Sequence, residues 1–342
     1  MEEKMMTEKR MEFCVECRKE SPYELKRVKC TRCIREKEYT FEITKAFCKS
    51  CGEEILLPGM MDERAKDIDA QYRKIENLIT VEDIEKLMDI YNIGKAPLSL
   101  ALGFGEITIT RYLQGQMPSK EYSDIMKEVL QYPECMLKKL NENESKIGET
   151  AYKKAVKAAS ELKRLFSISE KMLSVISYIF EKADEVTPLA LQKLLYYIQG
   201  IFMSVFGEKL FDEDCTAWVH GPVYESVYEL FKTFKYNPID DLRFVLLKDR
   251  FKKMNEEEKE IVDLVINTFG LYSGKALERI THQEEPWKQA REGYLPMELS
   301  SVRIEKNMIK GYFDKLSVDY NLRCESDLER YICDKLKLSK VC

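Results

Sequence analysis

Residues 187–207 read TPLALQKLLYYIQGIFMSVFG. Threonine followed by proline offers a side-chain acceptor at a helix N-cap and a fixed φ for the first turn. The glycine at the far end offers a stop. Between them Leu191, Leu194, Leu195, Ile198, Ile201, Phe202 and Val205 recur at helical spacing in a wide apolar stripe. A helix apolar over so much of its circumference belongs at the centre of a helical domain. Working outward, residues 169–183 have an amphipathic helical pattern. A further helix is expected to open at Pro222, with Val223, Val227, Leu230, Phe231 and Phe234 facing inward. Another starts near Asn255, with three glutamates where the helix dipole favours acid, and stops by Gly270. The chain is therefore expected to be mainly α, with an all-helical C-terminal domain.

The full length of 342 residues exceeds one ordinary core. The composition, 44% hydrophobic and 34% charged, is that of a globular protein. A net charge of -5 argues against a protein that coats nucleic acid. No apolar run approaches about 18 residues, and the start MEEKMMTEKR lacks a signal-peptide core, so a cytoplasmic location is expected. Neither a phosphate loop nor an HExxH motif appears, and the expectation is a non-enzyme.

Six of the eleven cysteines form Cys14-x2-Cys17, Cys30-x2-Cys33 and Cys48-x2-Cys51. Two such pairs close a four-sulfur tetrahedral shell, the pattern of structural zinc. The surrounding residues 12–57 alternate apolar and charged, as in Tyr39-Thr40-Phe41-Glu42-Ile43, and read as short strands. Six thiols exceed the need of one ion. The outer pairs each sit at a chain reversal, Cys17 before Ser21-Pro22 and Cys51 before Gly52. The zinc ligands are therefore expected to be Cys14, Cys17, Cys48 and Cys51, with exchange for the middle pair as the alternative.

Residues 62–92 have helical spacing, with Thr80 as an N-cap and Asp83 three residues on. In 97–120, PLSLALGFGEITITRYLQGQMPSK, a short helix Leu98–Leu102 meets a glycine turn and a second helix from about Glu106 to Leu113. That is the local form of a helix-turn-helix, whose second helix enters the major groove. With Ile109 and Leu113 inward, Thr108, Thr110 and Arg111 face outward. Arginine reads guanine with two hydrogen bonds, and threonine serves phosphate or a thymine methyl. A plain helical hairpin would share the pattern.

Ala217-Trp218-Val219-His220-Gly221-Pro222-Val223-Tyr224 reads as a turn into a helix. Trp218, His220 and Tyr224 are the candidate partner-binding residues, since large stiff rings anchor interfaces. The alternative is that Trp218 and Tyr224 pack the core. Cys215 and His220 could form a thiol–base pair, but a structural histidine bonded at the turn is the simpler reading.

Residues 13–140 resemble the MqsA type of antitoxin, a YgiT-type zinc finger followed by an XRE-like helix-turn-helix. The resemblance is carried by FCVEC (13–17), YTFEITKAFCKSCGEEI (39–55) and LSLALGFGEITITRYLQGQMPS (98–119). It implies zinc on the two outer pairs and a DNA contact by Arg111. Ile107 departs from a member of the family that has asparagine there, which implies a different base preference, and the Cys30/Cys33 pair is a second departure. Residues 172–316, with LQKLLYYIQG, AWVHGPVYESVY and EPWKQAR, resemble the SocA-like Panacea domain, which implies neutralisation of a toxin by direct binding. The expected organisation is a zinc-binding domain 1–61, a helix-turn-helix domain 62–140, a linker 141–167, a Panacea-like domain 168–316 and a tail 317–342. The expected function is that of a type II antitoxin that also represses its own operon as a dimer on operator DNA. A mobile-element regulator or proteolysis adaptor without a toxin is the alternative.

Overall fold

The structure, a computed structural model, describes residues 10–34, 36–251 and 253–337. The first nine residues of the expected zinc-binding domain and the last five of the expected tail lie outside them. The chain divides into two compact units, Met1–Ala159 and Ser160–Cys342.

The first unit begins with four antiparallel strands in the order β1 (Met11–Cys14), β2 (Lys19–Ile34), β3 (Lys37–Cys48) and β4 (Glu54–Ile55). Strand β2 pairs with β1 over its first residues and then with β3 along a long ribbon. Alternation puts Tyr39, Phe41 and Ile43 on one face of the ribbon, where Ile68 and Tyr72 of α1 (Met60–Ile75) cover them. Five short helices follow: α2 (Val81–Ile90), α3 (Lys95–Ala101), α4 (Thr108–Leu113), α5 (Lys120–Gln131) and α6 (Pro133–Glu142). Thr80 caps α2 as expected, its hydroxyl accepting from the Asp83 N–H.

The cysteine-bearing segment and the segment expected as a helix-turn-helix, read as separate domains, both fall in this one unit. Buried Arg73 of α1 joins them. It bonds Asp69 at 2.7 Å, the Ile79 carbonyl at 3.0 Å and the Gln116 carbonyl at 3.2 Å. Ser123 of α5 accepts the Ile79 N–H at 2.7 Å. The stretch expected as a linker is largely helix α7 (Glu149–Leu165), within which the division between the two units falls. In the second unit Leu162 and Leu165 of α7 are buried.

The second unit continues with α8 (Glu170–Lys182), α9 (Pro188–Phe206), β5 (Cys215–Trp218), β6 (Gly221–Val223), α10 (Glu225–Phe231), α11 (Leu242–Leu246), α12 (Glu256–Thr268), α13 (Gly274–Thr281), α14 (Glu285–Ala290), β7 (Arg303–Ile304), α15 (Lys306–Asp319) and α16 (Glu325–Leu336). The fold is mainly α, and α9 is its centre: Thr187 caps it, Pro188 opens it and left-handed Gly207 ends it. Among the described residues it is the one helix long and apolar enough to cross a membrane, yet most of it is buried inside the unit. Gly200 admits α15, because a Cβ there would lie 2.2 Å from the Phe313 ring. Asn255 and Glu258 form a reciprocal capping box on α12.

Three expectations differ from the structure. The C-terminal unit is not all-helical: β5, β6 and β7 form a three-stranded antiparallel sheet. Pro222 lies in β6 rather than opening a helix, and α10 starts at Glu225. The stretch after Leu316, expected as a tail, supplies α16, which packs on α12 and α13 through buried Leu328, Tyr331 and Ile332.

Candidate functional site

The four outer cysteines come together because β1 and β3 both pair with β2. Cys14 ends β1 opposite Lys19, and Cys48 ends β3 opposite Tyr23, so two tight turns lie side by side. Gly52, at φ +82°, closes the second turn. Each cysteine offers a sulfur, and all four lie within 4.8 Å of one another. Cys14 Sγ is 3.5 Å from Cys51 Sγ, and Cys17 Sγ is 3.9 Å from Cys48 Sγ. A tetrahedron with metal–sulfur bonds of about 2.3 Å has edges of about 3.8 Å, so the spacing fits one ion in a closed shell. The backbone N–H of Cys51, with burial opposing it and the Ser50 N–H assisting, lowers the Cys48 thiol to about 6. Among the described residues no other cluster of His, Cys, Asp or Glu could hold a metal. Cys30 and Cys33 lie three apart within the continuous strand β2, so they face opposite sides. Cys30 packs against the Phe41 cluster while Cys33 is exposed, and the pair cannot chelate one ion.

In the segment expected as a helix-turn-helix, left-handed Gly103 separates α3 from α4. Ser99 ties them together, accepting the Ile109 N–H at 3.0 Å and donating to the Lys95 carbonyl at 3.1 Å. Phe104 stacks on Tyr122 at 4.0 Å. The second helix begins at Thr108, two residues later than expected. Its inward residues are Ile109 and Tyr112, while Leu113, expected inward with Ile109, is half-buried. Arg111 is exposed, and Thr108 and Thr110 are half-buried.

In the second unit, the polar residues of α9 hold the 210–224 segment. Gln199 accepts the Leu210 and Phe211 N–H groups and donates to the Phe211 carbonyl. Gln192 accepts the Tyr224 N–H at 2.7 Å, and Lys193 Nζ donates to the Pro222 carbonyl at 2.9 Å. Lys193 is fully buried, and burial lowers its ammonium to about 7 against the attraction of Glu278. The amine fills the space beneath Gly221, whose φ is +97° and whose added Cβ would lie 2.7 Å from Lys193 Nζ and 2.8 Å from Thr281 Oγ1. Sequence reasoning missed these three residues; the available signal was polar side chains inside a helix apolar on most sides.

The expected partner residues separate. Trp218 is half-buried, edge-on to Tyr228, with its indole N–H 3.3 Å from Glu225 and its carbonyl accepting from Trp287 Nε1 at 2.8 Å. His220 is exposed, its Nδ1 3.1 Å from Glu278 Oε1. Tyr224 is 1% exposed and packs on Phe211, so its ring offers no contact area to a partner. Cys215 is buried, and burial pushes its thiol up to about 12, the opposite of what a nucleophile needs. The fully buried Glu284 accepts from Tyr197 at 2.8 Å and from Tyr331 at 2.6 Å. Burial raises its carboxyl even though both tyrosines oppose the shift, and this bond is how α16 joins the core.

Residues 191–288 match the family model of the antitoxin SocA-like Panacea domain. The span covers the centre of the second unit, from α9 through Gly221 to α14. The chain is 28% identical over 113 residues to antitoxin SocA of Caulobacter vibrioides, across 30% of this chain and 58% of that protein. The match thus takes in little more than half of that relative's length. No solved structure matches the chain.

Proposed function

We propose that the protein is the antitoxin of a type II toxin–antitoxin system. The observation that carries this reading is the Panacea match over residues 191–288, joined to the likeness to antitoxin SocA. The second unit binds a toxin directly and without chemistry, through a face that includes Trp218 and His220. The first unit folds around one zinc ion held by Cys14, Cys17, Cys48 and Cys51. It reads operator DNA through α4, with Arg111 on a base edge or phosphate and Thr108 and Thr110 beside it. Two copies sit on paired half-sites, in the cytoplasm, and repress the operon. The support for zinc is the sulfur geometry; for DNA, it is the two short helices at a glycine turn with Arg111 exposed.

Co-expression tests the reading. The product of the adjoining open reading frame, expressed alone, should arrest growth. The full chain should restore growth and co-purify with that product. Failure of rescue by the intact chain sinks the antitoxin assignment.

A further inference from the structure

Beyond the matched span, residues 292–299 run on the surface, and Arg291 fastens their backbone to Ala217, the neighbour of Trp218 in β5. Arg291 is buried, and its guanidinium bonds the Ala217 carbonyl of β5 at 3.0 Å, the Leu295 carbonyl at 3.0 Å and the Glu298 carbonyl at 2.7 Å. The same guanidinium lies over the Trp287 ring and the Tyr294 ring. Glu298 also accepts the Leu295 N–H at 2.9 Å. The side chains are treated in the opposite way. Leu295, Met297 and Leu299 are 71%, 76% and 87% exposed. Three large aliphatic groups held in water on a fixed backbone invite association, so such a run on a pinned loop marks an interaction surface. Fixing the backbone in advance also removes ordering cost from binding.

The exposed charge within residues 292–299 is acidic. Glu225, beside Trp218, is exposed, as are Glu292 and Glu298. The guanidinium of Arg291 is buried and spent on backbone carbonyls; nearby, Lys288 is an exposed cation, and Arg303 on β7 is paired with Asp214. An acidic rim around apolar tips complements a cationic partner and steers its approach.

We propose that residues 292–299, together with Trp218, are the docking anchor for the toxin, whose contact face carries an apolar recess edged by lysine or arginine. This rests on the antitoxin reading above. It moves the centre of the interface from the span of the family match, residues 191–288, to a loop just outside it.

The test uses the full chain and the product of the adjoining open reading frame, with affinity measured by titration. The variant Leu295→Ser/Met297→Ser/Leu299→Ser changes exposed groups only, and tryptophan emission should verify its fold. It should bind at least about 100-fold more weakly, as for loss of a central apolar anchor. Leu271 and Val318 are 75% and 82% exposed elsewhere on the unit. The control Leu271→Ser/Val318→Ser should bind like the unaltered chain. Glu292→Lys should slow association and flatten its salt dependence. If the unaltered chain binds and the triple variant binds within threefold of it, the loop is not the anchor. If the triple variant instead turns a dimer into a monomer while toxin affinity holds, the occupant is a second copy and the proposal is overturned. If the unaltered chain binds nothing, the antitoxin reading falls and this proposal with it.

Discussion

Gly221→Ala concentrates the cost of the β5–β6 turn in one methyl group. Gly221 has φ +97°, where an L-residue costs about 1–2 kcal/mol. The new Cβ would also lie 2.7 Å from Lys193 Nζ, 2.8 Å from Thr281 Oγ1 and 2.9 Å from Lys193 Cε. Crowding of this kind costs about 1–3 kcal/mol. If the amine yields, the Pro222 carbonyl loses its partner at a cost of about 1–3 kcal/mol. The expected loss is about 4 kcal/mol. Gly207→Ala isolates the backbone part, because Gly207 has φ +80° with nothing within 4 Å of its added Cβ, and it should cost only about 1 kcal/mol. The difference of about 3 kcal/mol corresponds to about 6–12 °C in the melting temperature of a unit of this size. Both tryptophans, Trp218 and Trp287, belong to the second unit, so their emission during denaturation reports that unit alone. Lys193→Met placed in the Gly221→Ala background should recover part of the loss, as a coupled pair does. Equal destabilisation by Gly221→Ala and Gly207→Ala would refute the packing argument.

The purified chain should carry one zinc ion. Cys14→Ala or Cys48→Ala should abolish it, while Cys30→Ala/Cys33→Ala should leave elemental analysis unchanged; metal lost only with the middle pair would reverse the ligand assignment. Arg111→Ala should weaken operator binding about 5- to 150-fold, as removal of one bidentate base contact does, with the zinc content intact. A gel-shift titration unchanged by the substitution would remove Arg111 from the interface. Lys193 also predicts a pH slope. Above about pH 7 its folded form is neutral, while the unfolded chain stays protonated up to the ordinary value of 10.5. The unfolded state then binds more protons, so Lys193 makes unfolding free energy rise with pH by up to about 1.4 kcal/mol per unit. Below the folded value both states are protonated, and its contribution is constant. Between about pH 7 and 8.5, Lys193→Met should flatten the unfolding free energy relative to the unaltered chain; parallel curves would show that the buried amine does not titrate there.

What could be read along the chain was what neighbours within a few residues encode. Thr187-Pro188 and Gly207 bound α9, Thr80 caps α2, and α12 starts at Asn255 with its acidic first turn, because each signal acts on its own helix end. The choice of Cys14, Cys17, Cys48 and Cys51 followed from turn residues beside those pairs, and the same four sulfurs converge in space. The three-stranded sheet escaped because Cys215 finds Ile304 across almost ninety residues, a pairing that local propensity does not encode. Pro222 looked like a helix opener, since proline at a first turn and proline in a short edge strand have the same local appearance. Tyr224 looked like an interface ring until packing buried it, and polar α16 looked like a tail until Tyr331 reached Glu284. By itself, then, the sequence determined the mainly helical class, the ends of α9 and the four cysteines that converge, all set by short-range chemistry. The tertiary structure decided which rings are buried, how Lys193 supports Gly221 and which apolar side chains remain in water, because each depends on groups that only packing brings together.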